Sequence, residues 1–224
     1  MMLIISWTVM RYSKEHKAET RARIVRKASV CLREKGTRGV GVADLMKEAG
    51  LTHGGFYAHF SSREALLVEA VADAMDRSIA RWRKNAAELP EDERLAAIVE
   101  AYLTPDHCDA PGRGCAVAAL GAEIAREGDK AREMFADKLD EMIGTLAEQI
   151  PGKPAAEARS EAIASLALMA GALILARGAG GGAFSAEVLA ACRKAALKNC
   201  PASAEEAPAA TKTGGDGADD TAGA

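Results

Sequence analysis

The chain has 224 residues, enough for one large domain or two small ones. It is 49% hydrophobic and 27% charged, the balance of a soluble globular protein, and its 4% aromatics and abundant alanine leave little to build sheets from, so an all-α fold is expected. The net charge of −3 decides nothing about nucleic acid, and five scattered cysteines argue against a disulfide scaffold and for a reducing cytoplasm.

The first ten residues are mostly apolar but too short to span a bilayer, and neither a basic segment nor a small-residue cleavage site flanks them. Residues 1–16 are read as an N-terminal extension. A first helix is expected over 18–35, because Ile24, Ala28, Cys31 and Leu32 share one helical face and Gly36 ends it. Val42, Leu45, Met46 and Ala49 repeat with helical spacing until Gly50. The Thr52 hydroxyl is placed to cap a third short helix ending at Phe60, and Ser61 with Glu64 has the spacing of a capping box for a long fourth helix. That helix leads into a helical body over 63–200, with helices at about 91–103, 115–126, 130–149, 156–176 and 185–198. The apolar stretch 162–176 falls short of a span and reads as a helix buried on most of its circumference. Residues 201–224 lack apolar periodicity and are expected to be a disordered tail.

Charge is unevenly placed. Residues 11–63 hold twelve basic and five acidic side chains, a net +7, which leaves −10 for the rest. A basic N-terminal module on an acidic body suits a nucleic-acid binder, and it suits a solvated basic helix face equally. The residues between Gly36 and Arg63 sharpen the choice. Two short helices around a glycine turn, with Leu45, Ala49, Leu51 and Phe56 as a small core, form a helix-turn-helix over 17–62 whose second helix would enter the major groove.

The stretch GVADLMKEAGLTHGGFYAHFSSREALL, preceded by TRARIVRKASVCLREKG, resembles the N-terminal domain of the TetR family of transcriptional regulators over about residues 18–75. A later stretch, PGRGCAVAALGAEIARE, is similar to one found in many members and is less diagnostic. The resemblance implies a homodimer with DNA-binding domains outward, C-terminal helices packed together and a small-molecule pocket in each subunit. It implies phosphate or base contacts at Thr52 and His53, and phosphate contacts at Tyr57, His59 and Arg63. Gly54 and Gly55 would let the backbone approach the DNA. One departure stands out: Val40 and Gly41 occupy positions where the family often has Thr or Ser, so a hydroxyl cap and its phosphate contact are in doubt.

Other motifs carry less. GAGGGA at 178–183 formally fits a dinucleotide-binding pattern, but a helix and not a strand precedes it, so it reads as an interhelical loop. His107, Cys108 and Cys115 match no standard zinc spacing, and neither metal nor cofactor is expected. The expected function is a cytoplasmic, ligand-responsive DNA-binding regulator, a repressor released from operator DNA by a small apolar or amphipathic effector, homodimeric through 156–198, with no membrane partner and no enzymatic activity. Tyr102, Met134, Phe135, Leu139 and Met142 are the candidate pocket residues, each equally suited to ordinary helix packing. Two alternatives stand beside it. One is a thiol-based redox-sensing regulator using Cys108 or Cys115. The other is an all-helical thiol-dependent enzyme built on His107 and Cys108, which leaves the basic module unexplained.

Overall fold

A computed structural model describes residues 3–198 and Cys200, and every element among them is helical. The expected tail at 201–224 lies outside the described residues. Helix α1 spans Leu3–Lys35, much longer than the apolar pattern indicated and continuous through the boundary drawn at residue 16. Its 33 residues contain neither glycine nor proline, so nothing interrupts the hydrogen-bond ladder. Ile24, Ala28, Cys31 and Leu32 form its buried face, and the Gly36 N–H donates to the Leu32 carbonyl at 2.8 Å. Helix α2 (Val42–Glu48) has Gly41 at its N-cap with no side-chain cap, as the sequence implied. Gly50 then turns the chain at φ +72°, a conformation cheap only for glycine.

Two local expectations need correction. The third short helix is a 3-10 turn, His53–Ala58, and the Thr52 hydroxyl makes no capping hydrogen bond. Two adjacent glycines weaken any α-helical preference there, and a tight 3-10 turn results. The long helix α3 (Arg63–Ala86) is capped not by Ser61 with Glu64 but by Ser62, whose hydroxyl accepts from the Ala65 N–H at 3.0 Å. One residue of register separates the two, and Glu64 lies too early to close the box.

Helix α3 runs from this module into the body, burying Leu66, Leu67, Val71, Met75, Ile79 and Trp82 along one stripe. Helix α4 spans Arg94–Tyr102. Pro105 ends that segment as expected, and it also opens the short helix α5 (Pro105–Asp109), capped by the Thr104 hydroxyl at 3.2 Å from the His107 N–H. A 3-10 turn at Pro111–Arg113 leads into α6 (Ala116–Ile124), α7 (Asp129–Ala147), α8 (Ala155–Gly178) and α9 (Gly182–Leu197). Helix α7 packs on α3 and α8, and α8 packs on α9 and α6.

Helix α8 is 24 residues long, so by length and composition alone it could cross a membrane, contrary to the shorter reading from sequence. Its inner face is buried through Ala162, Leu166, Met169, Leu173 and Ala176. Its outer face carries Ile163, Ala164, Ala167, Ile174 and Leu175 in the open, with Leu175 63% exposed. These positions recur every three to four residues, one stripe of a helix.

Candidate nucleic-acid interface and ligand cleft

The 3-10 turn is fixed from below and open above. Phe56 and Phe60 are buried with their rings stacked at 5.6 Å, over Leu45, Met46 and Ala49. Apolar burial of this kind holds a short turn that hydrogen bonds alone would leave frayed. On the outer side Thr52, His53 and Gly54 are exposed, Gly55 is half-buried, and Tyr57 is 72% exposed. A Cβ added at Gly54 would meet nothing, so a bulkier residue would be tolerated there and would hold the backbone off any surface laid against it. Lys14, Lys17, Arg23, Arg26 and Lys27 on α1 and Arg38 and Lys47 near α2 are also exposed.

His59 and Arg63 are both half-buried. Burial of His59, helped by Lys17 and Arg21, pushes its pKa below the ordinary histidine value. Its Nδ1 is buried without a partner. Arg63 donates to the Thr37 carbonyl, which ties the start of α3 to the loop after α1. Sequence reasoning missed Arg21. Its guanidinium donates to the His59 carbonyl at 2.6 Å, pairs with Glu69 and lies 4.2 Å from the centre of the Phe60 ring. Arg21 therefore positions the turn from α1.

The same loop is held from the body. The Thr37 N–H donates to Glu123 of α6 at 2.5 Å. Nearby, buried Arg33 of α1 donates twice to the Gly112 carbonyl and once to the Ser29 hydroxyl at 2.8 Å. A guanidinium with no carboxylate in its grip is satisfied here mainly by backbone, and it ties the Pro111–Arg113 turn to α1.

Of the five candidate pocket residues, Tyr102 alone lines the cleft that opens between α3, α4 and α5. Met134, Phe135 and Leu139 are half-buried packing residues on α7, and Met142 is fully buried. The cleft has a volume of about 320 Å³, and Arg81, Trp82, Asn85, Tyr102, His107 and Arg113 form much of its wall. It is thus of mixed polarity, not simply apolar. The sequence carried one unused signal: Arg81 has no acidic residue three or four positions away on α3. Its neighbours differ, since Arg77 pairs with Asp73 and Arg83 with Glu141.

His107 stands in this wall with both ring nitrogens engaged. Nδ1 lies 2.7 Å from the Tyr102 carbonyl, and Nε2 accepts from the Cys115 N–H at 2.9 Å. That pattern requires the neutral ring protonated at Nδ1, and burial lowers the His107 pKa accordingly. A Cβ at Gly114 would fall 2.6 Å from His107 Nε2, so only glycine lets the backbone come this close. Cys108 is buried with its Sγ 3.9 Å from the Ser185 hydroxyl, not against the imidazole. The two residues are therefore not arranged as nucleophile and base. Among the described residues no three His, Cys, Asp or Glu side chains gather as a metal site.

Comparison with known proteins places this geometry. Residues 24–70 match the family model of bacterial regulatory proteins, tetR family. The chain is 28% identical over 93 residues to the HTH-type transcriptional regulator YfiR of Bacillus subtilis (strain 168), covering 42% of the chain but only 43% of YfiR's own length. It is 27% identical over 165 residues to the HTH-type regulator MT0206 of Mycobacterium tuberculosis (strain CDC 1551 / Oshkosh), 70% of this chain and 84% of that one. The crystal structure of Escherichia coli NemR in its reduced form superposes with a TM-score of 0.63 at 21% identity, over 79% of this chain and 96% of that one, a likeness of fold. The family match falls on the helices that present Thr52, His53 and Tyr57, so residues 24–70 carry a DNA-binding domain of the tetR family type, and the fold of the remainder is like that of NemR.

Proposed function

We propose that the protein is a cytoplasmic, homodimeric repressor that holds operator DNA through the turn at His53–Ala58 and lets go when a small molecule occupies the body. The observation that carries the DNA reading is the two-sided turn, apolar beneath at Phe56 and Phe60 and open above at Thr52, His53 and Tyr57, beside a row of exposed lysines and arginines. His53 opens the turn and is the base-reading candidate, while Thr52, Tyr57, His59 and Arg63 serve phosphates. Gly54 and Gly55 supply close approach.

The outer stripe of α8, continued by Phe184 of α9 at 65% exposure, supports the dimer. A second copy of the same pair of helices covers that stripe in a four-helix interface with two-fold symmetry. The two turns then meet successive major grooves about 34–36 Å apart. Regulation proceeds by binding and not by turnover, in keeping with a His107 whose ring nitrogens are both spent on backbone groups.

Competition titrations on the DNA upstream of the protein's own gene test the reading. His53→Ala is expected to weaken operator binding by about 1–3 kcal/mol and random DNA much less. Arg63→Ala is expected to lower the salt dependence by about one log–log unit per lost phosphate contact. Unchanged operator affinity in both variants would overturn the assignment of this turn as the reading head.

A further inference from the structure

The cleft between α3, α4 and α5 holds more cationic and hydrogen-bonding capacity than the fold uses. Arg81 makes only a long contact, 3.4 Å to the Arg113 carbonyl, and neither Arg81 nor Arg113 pairs with a carboxylate among the described residues. One acid, Asp106, stands in the same wall, exposed to solvent. Behind the wall Arg177 donates to the carbonyls of Cys108 and His107 at 3.0 and 2.8 Å and keeps its Nη1 buried without a partner. Two guanidinium groups thus line the cleft with one carboxylate, around a neutral histidine and with a third guanidinium behind it.

The second observation is independent of charge. Tyr102 is almost fully buried, yet its hydroxyl has no nitrogen or oxygen partner among the described residues, and the Cys115 thiol stands beside it. A thiol is a weak partner, so this buried hydroxyl keeps hydrogen-bonding capacity for a bound molecule. The rings of Tyr102 and Trp82 lie 6.3 Å apart and, with Ile98 and Ala101, give the cleft an apolar side. Its volume of about 320 Å³ suits a ligand of one or two rings.

We infer that this cleft is a binding site for a small aromatic carboxylate, its ring against Trp82 and Tyr102 and its carboxylate held by Arg81 and Arg113 with the Tyr102 hydroxyl. Planar guanidinium forks match carboxylate geometry, which favours an organic acid over a neutral or cationic molecule. The site also explains how occupancy reaches DNA. Arg113 adjoins Gly112, whose carbonyl is gripped by Arg33 of α1, and Arg81 and Trp82 lie on the helix that begins at Arg63. A ligand that draws Arg81 and Arg113 together therefore pulls on both connections to the DNA module.

This inference rests on the regulator reading for its purpose, but its test does not. Calorimetric titration of the full chain, without DNA, compares 1-naphthoate with its uncharged counterpart 1-naphthamide. Saturable binding of the acid is expected, with the amide at least about tenfold weaker. Arg81→Gln and Arg113→Gln, both at exposed positions, are each expected to lose about tenfold for the acid and little for the amide. Tyr102→Phe is expected to lose affinity for the acid without loss of melting temperature. Equal affinity for acid and amide, unchanged acid affinity in both arginine variants, or no saturable binding at millimolar concentration would each overturn the inference. Naphthoate binding with no effect on DNA affinity would leave the site standing and count against the repressor mechanism alone.

Discussion

The DNA-facing turn and the cleft wall hold irregular backbone in place by opposite means. At His53–Ala58 the work is done mainly by apolar burial: Phe56 and Phe60 fill the space over α2, Arg21 steadies the end of the turn at the His59 carbonyl, and Thr52, His53 and Tyr57 are turned out. Between Tyr102 and Cys115 it is done by buried polar groups: His107 bridges two backbone groups, Arg177 and Arg193 take the carbonyls at 103, 107 and 108, and Thr104 caps α5. Apolar burial is indifferent to pH and to small molecules. A polar wall with unmatched groups responds to both, and it is the wall, not the turn, that a regulator needs to be responsive.

The largest expected difference comes from Phe56. Phe56→Ala removes a ring that is 1% exposed and should lower stability by about 3–5 kcal/mol in denaturant titration, with the loss the same across pH 5 to 8. A loss confined to low pH would show that the turn, too, depends on titrating groups.

How far the sequence revealed these two regions follows from the same contrast. The turn was legible because its determinants are local: Gly36 and Gly50 stop their helices, and Val42, Leu45, Met46 and Ala49 fall at helical spacing. Details within one residue escaped, such as Ser62 capping in place of Ser61 and the 3-10 geometry across Gly54 and Gly55, because neighbouring hydroxyls and glycines look alike in sequence. The start of α1 escaped because residues before 18 carry no apolar period. The wall was not legible. Arg177 and His107 are 70 residues apart, Arg33 and Gly112 are 79 apart, and no local pattern announces either pairing. The five pocket candidates in the sequence are largely apolar residues of expected helices, whereas the cleft recruits arginines from α3 and from the turn at Pro111–Arg113.

The wall's own dependence is next in size. His107→Leu strands the Cys115 N–H and should cost about 1–3 kcal/mol at pH 7.5. The pH dependence has a definite sign. Burial depresses the folded pKa of His107 below 6.5, so the unfolded chain binds more protons under acid conditions. Stability is full above about pH 6.5, the unfolded value, and falls as pH drops toward the depressed folded value. His59 contributes in the same direction, since burial lowers its pKa as well. Chemical denaturation from pH 5 to 8 should therefore show wild type weakening below pH 6.5, His107→Leu with a shallower slope, and Phe56→Ala with the wild-type slope. A steeper slope in His107→Leu would contradict the neutral, doubly bonded imidazole.

The smallest expected effects separate a cap from a contact. Ser62 and Thr52 are both exposed hydroxyl residues at a helix start, and the sequence offered Thr52 as a cap. Only Ser62 accepts a backbone N–H, from Ala65 at 3.0 Å. Ser62→Ala should cost about 1 kcal/mol of stability, the usual worth of an N-cap hydroxyl, and act on DNA only through the tilt of α3. Thr52→Ala removes no intramolecular hydrogen bond and should leave stability within about 0.5 kcal/mol of wild type, as exposed substitutions usually do. Its effect should appear on DNA alone, and equally on operator and random duplexes, because a hydroxyl that serves a phosphate positions the protein without reading bases. Thermal melts of both variants, with titrations against the two duplexes, decide the matter. A destabilised Thr52→Ala with unchanged DNA affinity would return Thr52 to the capping role and leave His53 and Tyr57 to hold the groove.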